Sequence, residues 1–148
     1  MRKTSIGIGT FICAALAASA ASAQTAASTG EPITVTLSGT TEVPGPGDAD
    51  GSGTATLRFN TAESQICYEL KVNGIAPPNG AHIHVGASGE SGGVKVPLET
   101  PITGGMSSGC APVDKATLQQ IMSNPAGYYV NVHNAEYPNG AIRGQLAQ

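Results

Sequence analysis

Hydrophobic and polar residues alternate along most of the chain, in short runs separated by glycine and proline. The runs are ITVTLSG, GTATLRF, QICYELKV, AHIHV, VKVPL, GYYVNVH and AIRGQL. Alternation over about four to eight residues predicts β-strands with one buried face, and the glycines and prolines between them predict turns. The pattern therefore predicts an all-β fold, a Greek-key-like β-sandwich or small barrel of about seven to eight strands.

One segment, DKATLQQIMSN, departs from this alternation. Asp114 at its start can accept hydrogen bonds from the first free amides of a helix, and Pro125 follows directly after it. We therefore expect one short helix of about two turns.

The alternation also assigns the two faces of each strand, because successive side chains of a strand point to opposite sides of the sheet. In AHIHV, the apolar residues Ala81, Ile83 and Val85 share one face, which we expect to be buried. His82 and His84 are therefore expected to leave the sheet on the side away from the core.

The strand GYYVNVH divides in the same way. Val130 and Val132 are expected to point inward, which places Tyr129, Asn131 and His133 on the outer face. All three histidines of the chain thus share the non-core side of the sheet, whereas histidines used as core filler would have the opposite parity.

The stretch YPNGA near the end of the chain suits a tight three-residue turn closed by a glycine. Such a turn would pair Tyr137 with Ala141, and therefore His133 with Gln145. It would leave Arg143 on the outer face, diagonal to His133 and within reach of it.

The first 23 residues predict a secretory signal peptide. Arg2 and Lys3 precede the apolar run IGIGTFICAALAA, which is too short to span a bilayer, and ASA ends at Ala23. Cleavage near Ala23 would leave a flexible leader, 24–31, and one domain, 32–148. We expect no membrane span in this mature chain and a periplasmic or secreted location.

Charge and cysteine content narrow the functions further. The chain has 7 basic and 10 acidic residues and no basic patch interleaved with aromatic residues, so we expect no nucleic-acid partner. With Cys13 removed alongside the signal peptide, Cys67 and Cys110 remain. Two cysteines in an oxidising compartment usually pair, so we expect a disulfide; two free or metal-binding thiols are the alternative.

The histidines are the candidate functional residues. In His82-x-His84 the two Cα atoms lie about 6.5–7 Å apart on one strand face, a distance over which two imidazoles can close on one ion. His133 adds a third imidazole of matching parity. Imidazole nitrogen suits copper, zinc, nickel or iron, and copper stands highest in the affinity order of the divalent ions.

We therefore predict a surface metal site made by the three histidines, with copper as the ion and zinc as the second choice. Arg143, Tyr129 and Asn131 are expected to surround the ligands. The alternative is that the histidines are solvated polar residues or a hydrogen-bonded structural trio.

The segments LSGTTEVPGPG, GTATLRF, AHIHVGASGESGGVKVPL and YYVNVHNAEYPNGAIRGQL together resemble the CHRD domain, the module named after chordin and also found alone in exported bacterial proteins. The resemblance runs from about Ile33 to Leu146. It implies an all-β extracellular module. In chordin such domains accompany a role in binding growth factors.

A weaker resemblance is to copper-zinc superoxide dismutase, a Greek-key β-sandwich with a His-x-His pair, a later histidine on a strand, a disulfide and an arginine near the end of the chain. The three histidines, the cysteine pair and Arg143 occur here in a similar order. No further histidine is present to serve as a fourth copper ligand or to bridge to zinc.

Three functions stay open at this point. Carriage, buffering or delivery of copper is preferred. The second is a non-enzymatic module that binds an envelope or extracellular protein, with structural histidines. The third is a copper oxidoreductase of superoxide-dismutase type, in which Arg143 attracts an anion. No added histidine or acidic ligand stands in the right place to favour this third function, so a non-enzymatic role is favoured.

Overall fold

The computed structural model describes residues 31–102 and 105–147, so the predicted signal peptide and nearly all of the leader lie outside the described residues. Within these ranges the chain forms eight strands and one α-helix. In chain order they are β1 Ile33–Ser38, β2 Ser52–Asn60, β3 Gln65–Asn73, β4 Pro78–Val85, β5 Val94–Leu98, β6 Met106–Pro112, α1 Lys115–Ser123, β7 Tyr128–Asn134 and β8 Ile142–Gln145. No helix among the described residues has the length and apolar character needed to cross a membrane.

The eight strands form one antiparallel sheet in the order β5-β4-β7-β8-β1-β2-β3-β6. The sheet curls until its two edge strands approach each other. Near this seam the hydroxyl of Tyr68 accepts a hydrogen bond from the amide of Glu99 at 2.7 Å, and the hydroxyl of Ser107 donates to the carbonyl of Glu99 at 2.8 Å. The result is a nearly closed barrel, which confirms the predicted all-β class.

The inside of the barrel is apolar, as the alternation predicts. Ala81 and Ile83 are almost fully buried, and the strand face that carries them forms part of one hydrophobic core. Other members of that core are Val35, Leu37, Ala55, Leu57, Ile66, Leu70, Val96, Val130, Val132 and Ile142.

The predicted helix is confirmed as α1. The side chain of Asp114 accepts a hydrogen bond from the amide of Thr117 at 2.9 Å, which satisfies one of the free amides at the helix start. Leu118 and Ile121 face the core and are buried. A single turn of 3-10 helix at Pro125–Gly127 then leads into β7.

Strand β6 was not predicted, because its sequence MSSGCAP lacks alternating apolar residues. It pairs with β3, and Cys67 and Cys110 lie directly opposite each other in that pair. The two cysteines form a disulfide, as predicted, with Cα atoms 3.9 Å apart. The bridge therefore attaches an edge strand of low intrinsic preference to the rest of the sheet.

The predicted register of the last hairpin was wrong. Gln145 pairs with Tyr129, not with His133, and Val132 pairs with Ile142. The reason is Asn134, whose side-chain oxygen accepts hydrogen bonds from the backbone amides of Glu136 at 3.1 Å and Tyr137 at 2.8 Å. This local turn ends β7 early, so the YPNG turn lies at the tip of a longer loop.

The predicted faces of the strands are still correct, because the observed register differs from the predicted one by an even number of residues. Ile142 still points into the core, and Arg143 still leaves the sheet on the outer side. Arg143 lies opposite Asn131 in the β7–β8 pair, and its side chain reaches the backbone carbonyls of Glu90 and Ala87.

Candidate metal centre

The three histidines converge on the outer side of two neighbouring strands. β4 contributes His82 and His84, and β7 contributes His133. The ring centroids are separated by 5.5 Å between His82 and His84, 5.2 Å between His82 and His133, and 5.8 Å between His84 and His133. One nitrogen from each ring lies within 4.8 Å of the others, so the trio could hold a metal ion.

The ring nitrogens that face this cluster have no other partner. Nδ1 of His82, Nε2 of His84 and Nε2 of His133 are buried and make no hydrogen bond. A buried polar atom without a partner costs free energy, and such atoms are uncommon in folded proteins. Three of them in one place are the kind of arrangement that a metal ion satisfies.

Two of the rings are fixed by backbone carbonyls. Nδ1 of His84 lies 2.9 Å from the carbonyl of Gly92, and Nδ1 of His133 lies 3.1 Å from the carbonyl of Pro138. Because a carbonyl only accepts, each Nδ1 must carry the proton, which leaves a free lone pair on Nε2. Hydrogen bonds of this type commonly orient metal-binding histidines.

The histidines are also kept neutral. Burial lowers the pKa of His82, and the neighbouring His133 and His84 rings lower it further. Burial likewise lowers the pKa of His84 and of His133 below the usual value for histidine. Metal binding requires neutral imidazoles, so no proton has to be removed at neutral pH.

The outer face of the sheet is partly covered around the site, where His82 and His133 remain half-buried. Tyr129, Asn131 and Arg143 are only 3%, 1% and 2% exposed, and His84 is 9% exposed. The cover is the glycine-rich loop, residues 86–93, which folds back over the sheet. Alternation predicted the side of the sheet correctly but carries no information about what lies above it.

Side chains of β7 and β8 hold the glycine-rich loop through its backbone. The guanidinium of Arg143 donates to the carbonyl of Glu90 at 2.7 Å and to that of Ala87 at 3.0 Å. The hydroxyl of Tyr129 accepts from the amide of Gly92 at 3.2 Å. Arg143 therefore acts as an anchor for the loop.

The predicted neighbours of the ligands are present, in an arrangement that the sequence did not specify. The ring of Tyr129 stacks on His84, with centroids 5.0 Å apart and planes 9° apart. The guanidinium carbon of Arg143 lies 3.4 Å from the centroid of the Tyr129 ring. Asn131 lies opposite His82 in the β4–β7 pair. The Tyr129 ring thus joins Arg143 and His84 in one continuous stack.

One residue of this region, Glu42, was missed. It follows a short 3-10 helix, Gly39–Thr41, and its side chain is buried beside Asn131, whose amide nitrogen donates to the carboxyl oxygen. A side chain at Gly140 would overlap Glu42 and Asn131, so glycine leaves the space. An acidic residue in a loop of glycine and proline is normally solvated, and the sequence carries no signal to the contrary.

Burial raises the pKa of Glu42 to about 7, although the nearby charge of Arg143 acts in the opposite direction. In the unfolded chain the same carboxyl ionises near 4.5. Between these values the folded state binds more protons than the unfolded state, so the contribution of Glu42 to stability falls as the pH rises from 4.5 to about 7.

We therefore expect Glu42→Gln to gain stability relative to wild type across this interval, by up to about 3 kcal/mol, and to gain nothing more above it. Urea unfolding of both proteins at about pH 4.5, 6 and 8 would measure the difference. The histidines titrate in both proteins, so their effect cancels in the subtraction. A difference that does not vary with pH would contradict an ionisable, buried Glu42.

Comparison with known proteins gives one result. A family model described as "CHRD domain" matches residues 33–146, which include every strand of the barrel and all three histidines. No curated protein and no solved structure matches the chain.

Proposed function

The chain belongs to the CHRD domain family, and we propose that it binds one copper ion through His82, His84 and His133. The role that we propose is carriage, buffering or delivery of copper after export. Export rests on the predicted signal peptide, 1–23, and zinc is the second choice of ion. The observation that carries the proposal is the convergence of three buried, unpartnered imidazole nitrogens.

A structural trio accounts less well for the same geometry. Histidines that serve only structure satisfy their buried nitrogens within the protein, since each unsatisfied group costs about 1–3 kcal/mol. Here His84 and His133 use one nitrogen on a backbone carbonyl and direct the other to the cluster. One bound ion would satisfy all three free nitrogens together.

The ligand set favours copper. It contains imidazole nitrogen alone, with no thiolate or carboxylate in the cluster. Among divalent ions copper stands above zinc in the affinity order for nitrogen ligands, although three histidines also form a known zinc site. Three ligands leave one coordination position for an incoming ligand, which suits an ion that must be collected and released.

An oxidoreductase of superoxide-dismutase type receives less support. That function needs Arg143 to attract an anion, but this residue is 2% exposed and its guanidinium donates to the carbonyls of Glu90 and Ala87. The guanidinium of Arg143 binds the protein's own loop, so none of its contacts favours the binding of a substrate anion.

The test is metal analysis of protein made without a histidine tag and recovered from the exported fraction. We expect about one copper per chain after loading with copper, and displacement of bound zinc by copper in competition. Protein that retains no metal under any loading condition would contradict the proposal and favour the second function, a module that binds an envelope or extracellular protein.

A further inference from the structure

The three-histidine centre contains no negatively charged ligand. The three ligands are neutral, and the cluster includes no carboxylate. Glu42, the buried carboxyl of this region, is hydrogen-bonded to Asn131. The ligands therefore contribute no negative charge to offset that of a bound ion.

A positive charge is fixed nearby instead. Arg143 is 2% exposed and lies against one face of Tyr129, while His84 stacks on the same ring at 5.0 Å. A cation bound to His84 would be repelled by this fixed charge.

This charge is not neutralised by an ion pair in the ranges that the structure describes. The guanidinium donates to the carbonyls of Glu90 and Ala87 and to the side-chain oxygen of Gln145, all of which are uncharged acceptors. The carboxylate of Glu90 accepts from the amide of Ala87. These contacts hold Arg143 in place without pairing its charge, and the nearby carboxyl of Glu42 offsets part of it once ionised.

We propose that the three-histidine centre selects monovalent copper, because its ligands are neutral and Arg143 fixes a positive charge one aromatic ring away from His84. The proposal rests on the copper-binding function proposed above and specifies its cargo. The desolvation cost of an ion grows with the square of its charge, and repulsion from a fixed charge grows in proportion to it. Both effects penalise Cu(II) and Zn(II) more than Cu(I).

The experiment measures the affinities for Cu(I) and Cu(II) separately, at about pH 8, by competition with chelators specific for each state. Cu(I) is kept reduced with ascorbate in the absence of oxygen. The variants are Arg143→Gln, which removes the charge, and Arg143→Lys, which keeps it. We expect the ratio of Cu(I) to Cu(II) affinity to fall on the order of tenfold in Arg143→Gln and to stay near the wild-type value in Arg143→Lys.

Glu42→Gln supplies an independent variant that does not touch the loop anchors. At this pH the carboxyl of Glu42 is ionised and partly offsets Arg143, because its pKa is about 7. Removing its charge should raise the ratio of Cu(I) to Cu(II) affinity, so the proposal stays testable if Arg143→Gln does not fold.

The possible outcomes are distinct. An unchanged ratio in both Arg143→Gln and Glu42→Gln, or an equal fall in Arg143→Gln and Arg143→Lys, would overturn the role of the fixed charge while copper binding stands. A wild-type protein that binds neither Cu(I) nor Cu(II) would overturn the proposed function itself, and the selectivity with it.

Discussion

Replacing His82 and His133 together by alanine is expected to abolish copper binding at one ion per chain. The two residues come from different strands, and the double variant leaves His84 as the single remaining imidazole. One neutral nitrogen cannot compete with a chelator for copper.

His133→Ala alone should weaken binding by at least about tenfold, roughly 1.4 kcal/mol, because one metal–nitrogen bond is replaced by water.

Competition titration with a chromophoric chelator measures both effects. Thr54→Ala is a suitable control, because Thr54 is exposed and lies on β2, which is not a neighbour of β4 or β7 in the sheet. Thermal unfolding without metal checks that the variants remain folded. Wild-type affinity in the double variant would show that the histidines do not act together and would remove the proposed site.

The second large effect concerns stability. Replacing Cys67 and Cys110 by serine is expected to lower the free energy of unfolding by about 4 kcal/mol. The bridge joins residues separated by 43 positions, and opening a loop of that size increases the conformational entropy of the unfolded chain by about this amount. Strand β6 pairs with β3, and in the part of the chain that the structure describes no second strand is paired with it.

Urea unfolding of the double serine variant measures the loss, and reduction of the wild-type disulfide should reproduce it. Ser108→Ala is the matched control, since Ser108 is an exposed residue of the same strand. A loss of less than about 1 kcal/mol would show that hydrogen bonding to β3 holds β6 without the bridge.

The features that the sequence predicted correctly are those that follow from local alternation. A side chain's face depends on its parity within a strand, so Ile83 and Val132 could be assigned to the core and the histidines to the outer side. The convergence of His82, His84 and His133 then followed once β4 and β7 were neighbours in the sheet.

The features that escaped prediction depend on contacts between distant residues. The register of β7 and β8 is set by the side chain of Asn134, which ends β7 before the predicted turn. Strand β6 is ordered by its pairing and its disulfide, so its own residues give little indication of a strand. Burial of Glu42 and Arg143 depends on loops that fold over the sheet, and parity does not describe loops.

The glycine-rich loop is held almost wholly through its main chain. Its anchors include the carbonyls of Ala87 and Glu90 and both backbone groups of Gly92, while Ser88 and Ser91 are exposed. A side chain at Gly92 would overlap the backbone of Val85. Sequence variation in this loop should therefore preserve the glycine positions and tolerate substitutions at Ser88 and Ser91. Those two positions are suitable for attaching a fluorophore in a sensor built on this barrel.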